Sequence, residues 1–438
     1  MSDTIGGLAV ADLAREFGTP LFVYDADVLR ERYRQLREVL HPDVGILFSL
    51  KANPNVSICA VLRSVGAGAE VSSLAELMIA GRAGVAPEDT IFLGPGKSVD
   101  EIDACLAAGV HAIVCESWGE LAEIDALAAR RNTVAPVVLR INPSFTVKGS
   151  RLTMSGKPRQ FGIDEEQVLD AGARVAGLRN VRLTGVHVYM GTRILAEEVV
   201  AENTTRILDL AERVAERLDF ELETVDVGGG LGIAYFDGER DLDLRRLADL
   251  VNPVFADFRA RHPRTRLFTE LGRFLTAESG TYVVRVRQVK ESMGERFAVT
   301  DGGTHHHMAA VGVGSYVKRD FPIRLLGREA TEPPENWRVT GLLCTPNDTL
   351  SSHTPLPPLH PGDLLGVLRS GAYGPTASPV LFLSHGHPAE VLVDSGRPHL
   401  IRDRDRPADI VDRQRLHEWA PEVPSASIPE LSSGKARA

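Results

Sequence analysis

The sequence predicts a (β/α)8 barrel followed by an antiparallel β domain, and three observations support this fold class. Between about residues 44 and 270, eight short apolar runs rich in β-formers alternate with segments of helical periodicity. After residue 272, strand-like runs separated by turn residues follow one another with few helical stretches between them. Eight strand–helix repeats favour a closed barrel, with an open doubly wound sheet as the alternative.

The predicted elements follow in order along the chain. The eight runs lie at 45–51, 69–73, 90–94, 112–116, 136–142, 183–191, 223–230 and 266–272, and helical segments include 197–217 and 244–261. A ninth strand-like run, residues 20–25, precedes the barrel, and we expect it to cross over to the β domain. We therefore assign the barrel to 26–275 and the β domain to 1–25 and 276–420. Residues 421–438 are rich in Pro and Ser and are expected to be disordered.

The bulk composition excludes several classes of protein. The 438 residues carry a net charge of −10, which argues against nucleic acid or an anionic membrane as a partner. No apolar run reaches the roughly 18 residues of a membrane span, and the N-terminus lacks the pattern of a leader, so a cytoplasmic location is expected. The four cysteines lack CxxC or CxxH spacing, so we predict reduced thiols and no zinc site.

Unusual polar residues fall at or near the ends of the predicted strands, where barrel enzymes place their chemistry. These residues are Lys51, Glu70, Arg140, His187, Tyr189, Gly228, Gly229, Gly230, Glu270 and Arg273. A glycine-rich strand end that directs backbone N–H groups toward a helix N-terminus suits a phosphate, and Arg273 supplies a countercharge. A lysine beside a phosphate site suggests pyridoxal phosphate, whose aldehyde reacts with an amine.

Several motifs resemble one family. The segments FSLKANPN (48–55), GAGAEVSSLAEL (66–77), GVHVYMGT (185–192), DVGGGLG (226–232), ELGRFL (270–275), CTPNDTL (344–350) and SGAYG (370–374) occur in this order. Together they resemble the fold-type III pyridoxal-phosphate decarboxylases, which include diaminopimelate and ornithine decarboxylases, over about residues 18 to 400. The resemblance implies the alanine racemase-like fold, pyridoxal 5'-phosphate as cofactor and a homodimer with shared active sites.

The resemblance also implies roles for individual residues. Lys51 would hold the cofactor covalently, and Glu270 would bond its pyridine nitrogen, which favours decarboxylation. The remaining cofactor contacts would be Glu70, Arg140, His187, Tyr189, Gly228, Gly229, Gly230, Gly272, Arg273 and Tyr373. Cys344 and Asp348 match an element that reaches into the neighbouring subunit, where Cys344 would protonate the product carbon and Asp348 would contact the substrate.

Departures from the family pattern bear on the substrate. Tyr189 stands where a histidine is usual, and it is still able to stack on a pyridine ring. Thr345 replaces the glutamate that recognises the distal end of diaminopimelate, which argues against that substrate.

Residues 305–307 are three histidines where ornithine decarboxylases hold the terminal amine of the substrate, so His305 and His306 are predicted substrate contacts. Neighbouring strand residues face opposite ways, and no metal is predicted. This segment resembles a branch of the family from antibiotic and siderophore pathways, whose substrates are larger or tethered to a carrier protein.

Three alternatives remain open on the sequence. A racemase of the same fold would use a base from the C-terminal domain in place of Cys344. A diaminopimelate or ornithine/lysine decarboxylase of primary metabolism would act on a free diamino acid. A small carrier of the cofactor would have no use for the long β domain. The sequence leaves open the substrate, the stereochemistry at the attacked carbon and the docking of a carrier.

Overall fold

Eight parallel strands form a closed barrel in the computed structural model, which describes residues 3–146, 152–153, 155–236, 238–308 and 320–417. The strands are Val44–Ser49 (β1), Gly68–Val71 (β2), Thr90–Phe92 (β3), Ala112–Cys115 (β4), Ala135–Asn142 (β5), Val181–His187 (β6), Thr224–Gly229 (β7) and Arg266–Leu271 (β8). Each strand pairs with the next, β8 pairs with β1, and the β4–β5 pairing completes the ring. The barrel prediction is confirmed, and the open-sheet alternative is wrong.

Helices surround the barrel. They span Ala26–Val39, Val56–Ser64, Leu74–Arg82, Val99–Ala108, Trp118–Arg130, Glu165–Leu169, Gly172–Val175, Glu197–Leu218, Leu244–Arg261 and Arg273–Thr276. Three of them begin with the sequence Ser-x-x-Glu, at Ser73, Ser98 and Ser117, and each serine side chain accepts a hydrogen bond from the backbone N–H three residues later. These caps satisfy N–H groups that have no partner within the helix, so the sequence itself sets where these helices start.

The barrel strands alternate between an outer and an inner face. In β8, Leu267 packs outward against the helices, whereas Phe268 belongs to a small apolar cluster drawn from several barrel strands that includes Leu47 and Val138. Because side chains in a strand alternate with a period of two, Glu270 lies on the same inner face as Phe268, one layer higher. The interior is therefore apolar below and polar at the mouth.

The second sheet is mixed rather than purely antiparallel, which corrects the sequence prediction. Its strands are Leu21–Asp25, Gly280–Ser292, Glu295–Thr300, Ile323–Leu326, Glu335–Thr340, Thr349–Leu356, Leu364–Val367, Ala389–Asp394 and Arg397–Arg402. Two of its pairings are parallel: Leu21–Asp25 with Ala389–Asp394, and Glu295–Thr300 with Glu335–Thr340. These pairs join strands distant along the chain, so local turn signals gave no information on their direction.

One connection between the second sheet and the barrel lies near the start of the chain. Leu21–Asp25 lies in the second sheet, and Asp25 then caps the first barrel helix by accepting hydrogen bonds from the N–H groups of Asp27 and Val28.

The predicted disordered tail at 421–438 falls outside the described residues. Within the described ranges, no helix has the length and apolar character needed to cross a bilayer.

Candidate active site

Lys51 follows β1 in a single 3-10 turn, Leu50–Ala52, that projects its amine into the barrel mouth. Its Nζ donates to Glu70 Oε2 at 2.7 Å. The lysine side chain is 39% exposed and that of Glu70 is 1% exposed, so the amine is reachable while its countercharge is fixed from below. Burial opposes charge on the amine, but the carboxylates of Glu70 and Glu270 outweigh it and raise the pKa of Lys51.

His187, Asp226 and Glu270 meet at the floor of the mouth, at or near the ends of three neighbouring strands. Their donor atoms lie within 4.8 Å of one another, and all three residues are buried. His187 Nε2 lies 3.4 Å from Glu270 Oε1. Neither oxygen of Glu270 has a hydrogen-bond partner among the described residues. A buried carboxylate of this kind requires a positively charged or proton-donating group.

The pKa values of Asp226 and Glu270 are shifted in opposite directions. Burial and the neighbouring Glu270 raise the pKa of Asp226 well above its usual range. Burial also acts to raise the pKa of Glu270, but His187 and Lys51 outweigh it and lower the pKa to about 2. Asp226 is therefore neutral and Glu270 carries the negative charge. The sequence analysis missed Asp226. Its position on the inner face of β7, just before the glycine run, could have identified it.

The glycines after Asp226 form a wall that no other residue fits. Gly228 and Gly230 have φ values of +68° and +91°. A Cβ at Gly229 would lie 1.6 Å from the carbonyl oxygen of Glu270. One part of the sequence prediction is wrong, because the next helix begins only at Leu244 and the glycines do not lead directly into its N-terminus. The candidate phosphate-binding cradle instead consists of the turn Gly228–Gly230 itself. We call this turn the cradle.

Arg273 stands at the start of the short helix after β8 and provides the cation beside the cradle. Its Nη1 donates to the hydroxyl of Tyr235 at 3.1 Å, and its guanidinium lies 4.7 Å from the ring centre of Tyr373. The Nε of Arg273 is buried and has no protein partner among the described residues. Aromatic groups therefore align this arginine, and no carboxylate of the described ranges forms an ion pair with it.

The loop that carries Tyr373 joins the second sheet to the Lys51 turn. The backbone N–H of Tyr373 donates to the carbonyl of Ala52 at 2.8 Å, and Asn53 Nδ2 donates to the carbonyl of Gly371 at 3.1 Å. On the barrel side, a Cβ at Gly272 would lie 2.7 Å from Ala52 Cβ. The close approach of the backbone at position 272 to the Lys51 turn therefore requires glycine.

Tyr189 lies on the other side of the lysine. The Lys51 amine is 5.7 Å from the centre of the Tyr189 ring. Burial raises the pKa of the phenol to about 12, so it remains protonated at neutral pH. A flat neutral ring beside the lysine amine is placed to stack on a planar ligand.

Arg140 has a protein partner where a cofactor contact was predicted. Its Nη1 donates to Glu116 Oε1 at 2.8 Å, and both side chains are buried. Glu116 also accepts the backbone N–H groups of Gly94 and Gly162. The geometry favours Arg140 as part of a rigid wall of the mouth. Glu116 is a second residue that sequence reasoning missed.

Two of the residues predicted to contact the substrate are held within the second sheet. Asp348 accepts hydrogen bonds from the backbone and hydroxyl of Thr304 and from the N–H of Leu343. His306 Nε2 donates to the carbonyl of Gly386 at 2.9 Å, and Nδ1 accepts from the hydroxyl of Tyr282 at 3.0 Å. With their polar atoms engaged, both fit structural roles better than direct substrate contacts.

His305, the remaining predicted substrate contact, has a different environment. It is fully buried, and neither ring nitrogen has a hydrogen-bond partner in the described part of the chain. Its ring lies 4.8 Å from that of His385, centre to centre. Burial and His385 lower the pKa of His305 to about 4, so it is neutral at pH 7.

Cys344 is exposed on the connection between strands Glu335–Thr340 and Thr349–Leu356. The other three cysteines are buried, two of them in helices and one in a barrel strand. An exposed thiol on the second sheet is accessible to a second subunit.

The mouth thus contains a reachable amine, a glycine cradle with a cation, and a buried ionised carboxylate that accepts no hydrogen bond from the described residues. Each fits one part of pyridoxal phosphate: the aldehyde, the phosphate and the ring nitrogen respectively. His187, Asp226 and Glu270 could also coordinate a cation by distance alone, but the lysine and the cradle then have no purpose. The fold and the site together define the class of pyridoxal-phosphate enzymes built on an alanine racemase-like barrel.

Comparison with known proteins agrees with this class. The model of the pyridoxal-dependent decarboxylase family, pyridoxal binding domain, matches residues 26–277. The chain is 39% identical over 412 residues to L-glutamyl-[BtrI acyl-carrier protein] decarboxylase of Niallia circulans, covering 92% of this chain and 96% of that protein. It is 31% identical to diaminopimelate decarboxylase of Archaeoglobus fulgidus, covering 95% and 97% respectively.

Solved structures show the same fold. Diaminopimelate decarboxylase from Helicobacter pylori, complexed with L-lysine, superimposes with a TM-score of 0.83 at 26% identity, covering 92% of this chain and 98% of that one. The chain therefore belongs to the pyridoxal-dependent decarboxylase family. It is a pyridoxal-phosphate-dependent carboxy-lyase, and the predicted fold class and cofactor are confirmed.

Proposed function

We propose that this enzyme decarboxylates an aminoacyl group attached to a carrier protein, with L-glutamyl as the first candidate. The reaction class is supported by Glu270, a buried carboxylate with lowered pKa that faces the same mouth as Lys51. The substrate class is supported by the Niallia circulans protein, whose name specifies a glutamyl acyl-carrier protein and whose likeness extends over 92% of this chain.

The proposed roles follow from the geometry of the mouth. Lys51 binds the cofactor aldehyde, and Gly228–Gly230 with Arg273 and Tyr373 hold the phosphate. When bound, pyridoxal phosphate supplies an electron sink for the pair left behind as carbon dioxide departs. Glu270, ionised at neutral pH, keeps a proton on the ring nitrogen and so maintains that sink. Tyr189 would stack its aromatic face on the cofactor ring.

We further propose that two chains share each site. Cys344 is exposed on the second sheet, as a residue that completes a neighbour's site must be. In this arrangement its thiol delivers the proton to the carbon from which carbon dioxide has left.

The experiment is a substrate panel with the purified holoenzyme. We expect carbon dioxide release from an acyl-carrier protein charged with L-glutamate, and little or none from free L-glutamate, diaminopimelate or ornithine. Turnover of free diaminopimelate at a rate equal to or above that of the charged carrier would contradict the proposed substrate. Exchange of the α-hydrogen without carbon dioxide release would contradict decarboxylation.

A further inference from the structure

Tyr235 is a buried tyrosine beside the mouth to which the proposed chemistry assigns no role. It follows the cradle by a few residues along the chain, and 3% of its surface is exposed. The backbone between them has a fixed path, because the N–H of Ile194 donates to the carbonyl of Gly230 at 2.9 Å and the N–H of Gly232 donates to the carbonyl of Ile194 at 2.8 Å. Tyr235 therefore has a defined position relative to the cradle.

The backbone and the ring of Tyr235 are held from both sheets. Its N–H donates to Glu239 Oε2 at 3.0 Å. Its ring centre lies 5.5 Å from the guanidinium of Arg193 and 4.7 Å from the ring centre of Phe321, which precedes the second-sheet strand Ile323–Leu326. A phenylalanine would make the same ring contacts, so packing does not explain the hydroxyl.

The hydroxyl of Tyr235 contacts the cation of the phosphate site. Arg273 Nη1 donates to it at 3.1 Å, and a guanidinium has no acceptor, so the hydroxyl accepts in this bond. Burial raises the pKa of Tyr235, so the phenol is neutral at pH 7. The hydroxyl therefore orients Arg273 without cancelling its positive charge.

The remaining donors of Arg273 suit an anion at the cradle. Its Nε is buried and donates to none of the described residues. Glu270, shortly before Arg273 in the chain, pairs with Gly229 of the cradle, so the arginine begins beside that turn. A buried cationic donor without a partner indicates an acceptor supplied by a ligand, and a planar guanidinium matches phosphate oxygens with two N–H groups. A carboxylate in place of the phenol would compete with that phosphate.

We propose that Tyr235 is a positioning residue of the phosphate site, whose hydroxyl holds the guanidinium of Arg273 in the orientation that meets the cofactor phosphate. This inference rests on the proposed function, which assigns the phosphate to the cradle and Arg273. Tyr235 thereby sets the preference of the enzyme for the phosphorylated cofactor, and it has no part in the chemical step.

The test measures the affinity of the full-length apoenzyme for pyridoxal 5'-phosphate and for pyridoxal, which has the same ring and aldehyde but no phosphate. The variants are Tyr235→Phe, which removes the hydroxyl and keeps the ring, Arg273→Ala, and the two combined. Tyr33→Phe is the matched control. Tyr33 is buried in helix Ala26–Val39, and its hydroxyl lies beside Gly66, just before β2 and so at the opposite end of the barrel from the mouth.

We expect Tyr235→Phe to bind pyridoxal 5'-phosphate about tenfold more weakly, because a hydrogen bond to a charged group is lost, and to bind pyridoxal as wild type does. Unchanged pyridoxal binding also shows that the variant is folded. Arg273→Ala should lose more, again for the phosphorylated form alone. Adding Tyr235→Phe to Arg273→Ala should cost nothing further, because the hydroxyl then has no cation to orient. The Tyr33→Phe control should match wild type for both ligands.

Wild-type affinity of Tyr235→Phe for pyridoxal 5'-phosphate, or an equal loss for both ligands, would overturn the positioning role. A further phosphate-specific loss in the Arg273→Ala background would also overturn it, because the hydroxyl would then act without the arginine. If Arg273→Ala itself binds both ligands as wild type does, the phosphate assignment in the proposed function fails as well. That result is distinct from a failure of Tyr235 alone, in which Arg273→Ala still discriminates between the ligands.

Discussion

Single residues at the floor of the mouth decide the charge that the cofactor meets. Glu270 keeps its negative charge in a buried position because His187 and Lys51 lie close to it, while Asp226 takes up the proton. This division places one negative charge, not two, beneath the ring. A second charge would cost several kcal/mol at a buried site.

The first prediction removes that charge. Glu270→Gln should keep the visible absorbance of bound pyridoxal phosphate, because Lys51 and the cradle are unchanged. It should lose at least about a hundredfold in kcat, because a neutral amide does not hold the proton on the ring nitrogen. Steady-state carbon dioxide release on holoenzyme of matched cofactor content measures this. Full turnover in the variant would rule out the role of Glu270.

The second prediction concerns the cradle. Gly229→Ala should weaken cofactor binding by at least tenfold, because the new methyl group would lie 1.6 Å from the carbonyl oxygen of Glu270 and displace the turn. The matched control is Gly119→Ala, inside helix Trp118–Arg130, where a Cβ meets open space. The control should bind cofactor normally and gain roughly 0.5–1 kcal/mol in stability. Titration of apoenzyme with pyridoxal phosphate separates the two, and equal affinities would contradict the cradle.

At the scale of elements, two of the three consecutive histidines, His306 and His307, hold the loop that carries Tyr373. His306 bonds Gly386 at one end of that loop, and His307 Nε2 lies 2.9 Å from Ser370 Oγ at the other. Ser370 donates to the carbonyl of Val367, so it accepts from His307. The segment therefore fastens both ends of the loop.

The third prediction follows from this fastening. His307→Leu should leave the chain folded but weaken pyridoxal-phosphate affinity several-fold, because a lost buried hydrogen bond costs about 1–3 kcal/mol and frees the loop of Tyr373. His305→Leu is the control, since His305 has no hydrogen-bond partner among the described residues. Cofactor titration with a circular dichroism check of folding measures this. Equal affinity in both variants would leave His307 without a positioning role.

The fourth prediction is a pH dependence. Burial lowers the pKa of His307 to about 3, below its unfolded value of about 6.5. The unfolded chain therefore binds the proton first, so this contribution to stability is complete above pH 6.5 and is lost as the pH falls toward 3. The loss should approach about 1.4 kcal/mol per pH unit within that window. Urea unfolding at pH 7.5 and 5 should show a smaller decline for His307→Asn than for wild type.

At the scale of the whole molecule, the two sheets carry different halves of the proposed chemistry. Lys51 belongs to the barrel, whereas Cys344 is exposed on the second sheet. The fifth prediction is that mixing Lys51→Ala protein with Cys344→Ala protein restores up to about a quarter of wild-type activity through hybrid dimers with one intact site. Each variant alone should be nearly inactive. Lack of recovery after demonstrated subunit exchange would count against shared sites.

Much of the fold was accessible from local patterns. The eight strand runs and the S-x-x-E caps depend on neighbours within a few residues, so periodicity and spacing reveal them. The direction of the second-sheet strands was not accessible, because Leu21–Asp25 pairs with Ala389–Asp394, almost at the other end of the chain. Pairing at such separation leaves no local signal.

The sequence by itself determined the barrel, the residue types at its mouth and the cofactor that they suit. Only the tertiary structure decided which of those residues remain free to act: none of the described residues donates a hydrogen bond to Glu270, whereas Arg140, His306 and Asp348 are engaged by neighbours. The reason is physical. The local sequence determines the residue type and the face of the strand on which a residue lies. The hydrogen-bond partner of a buried polar group comes from a distant part of the chain. That partner decides whether the group is structural or available for chemistry.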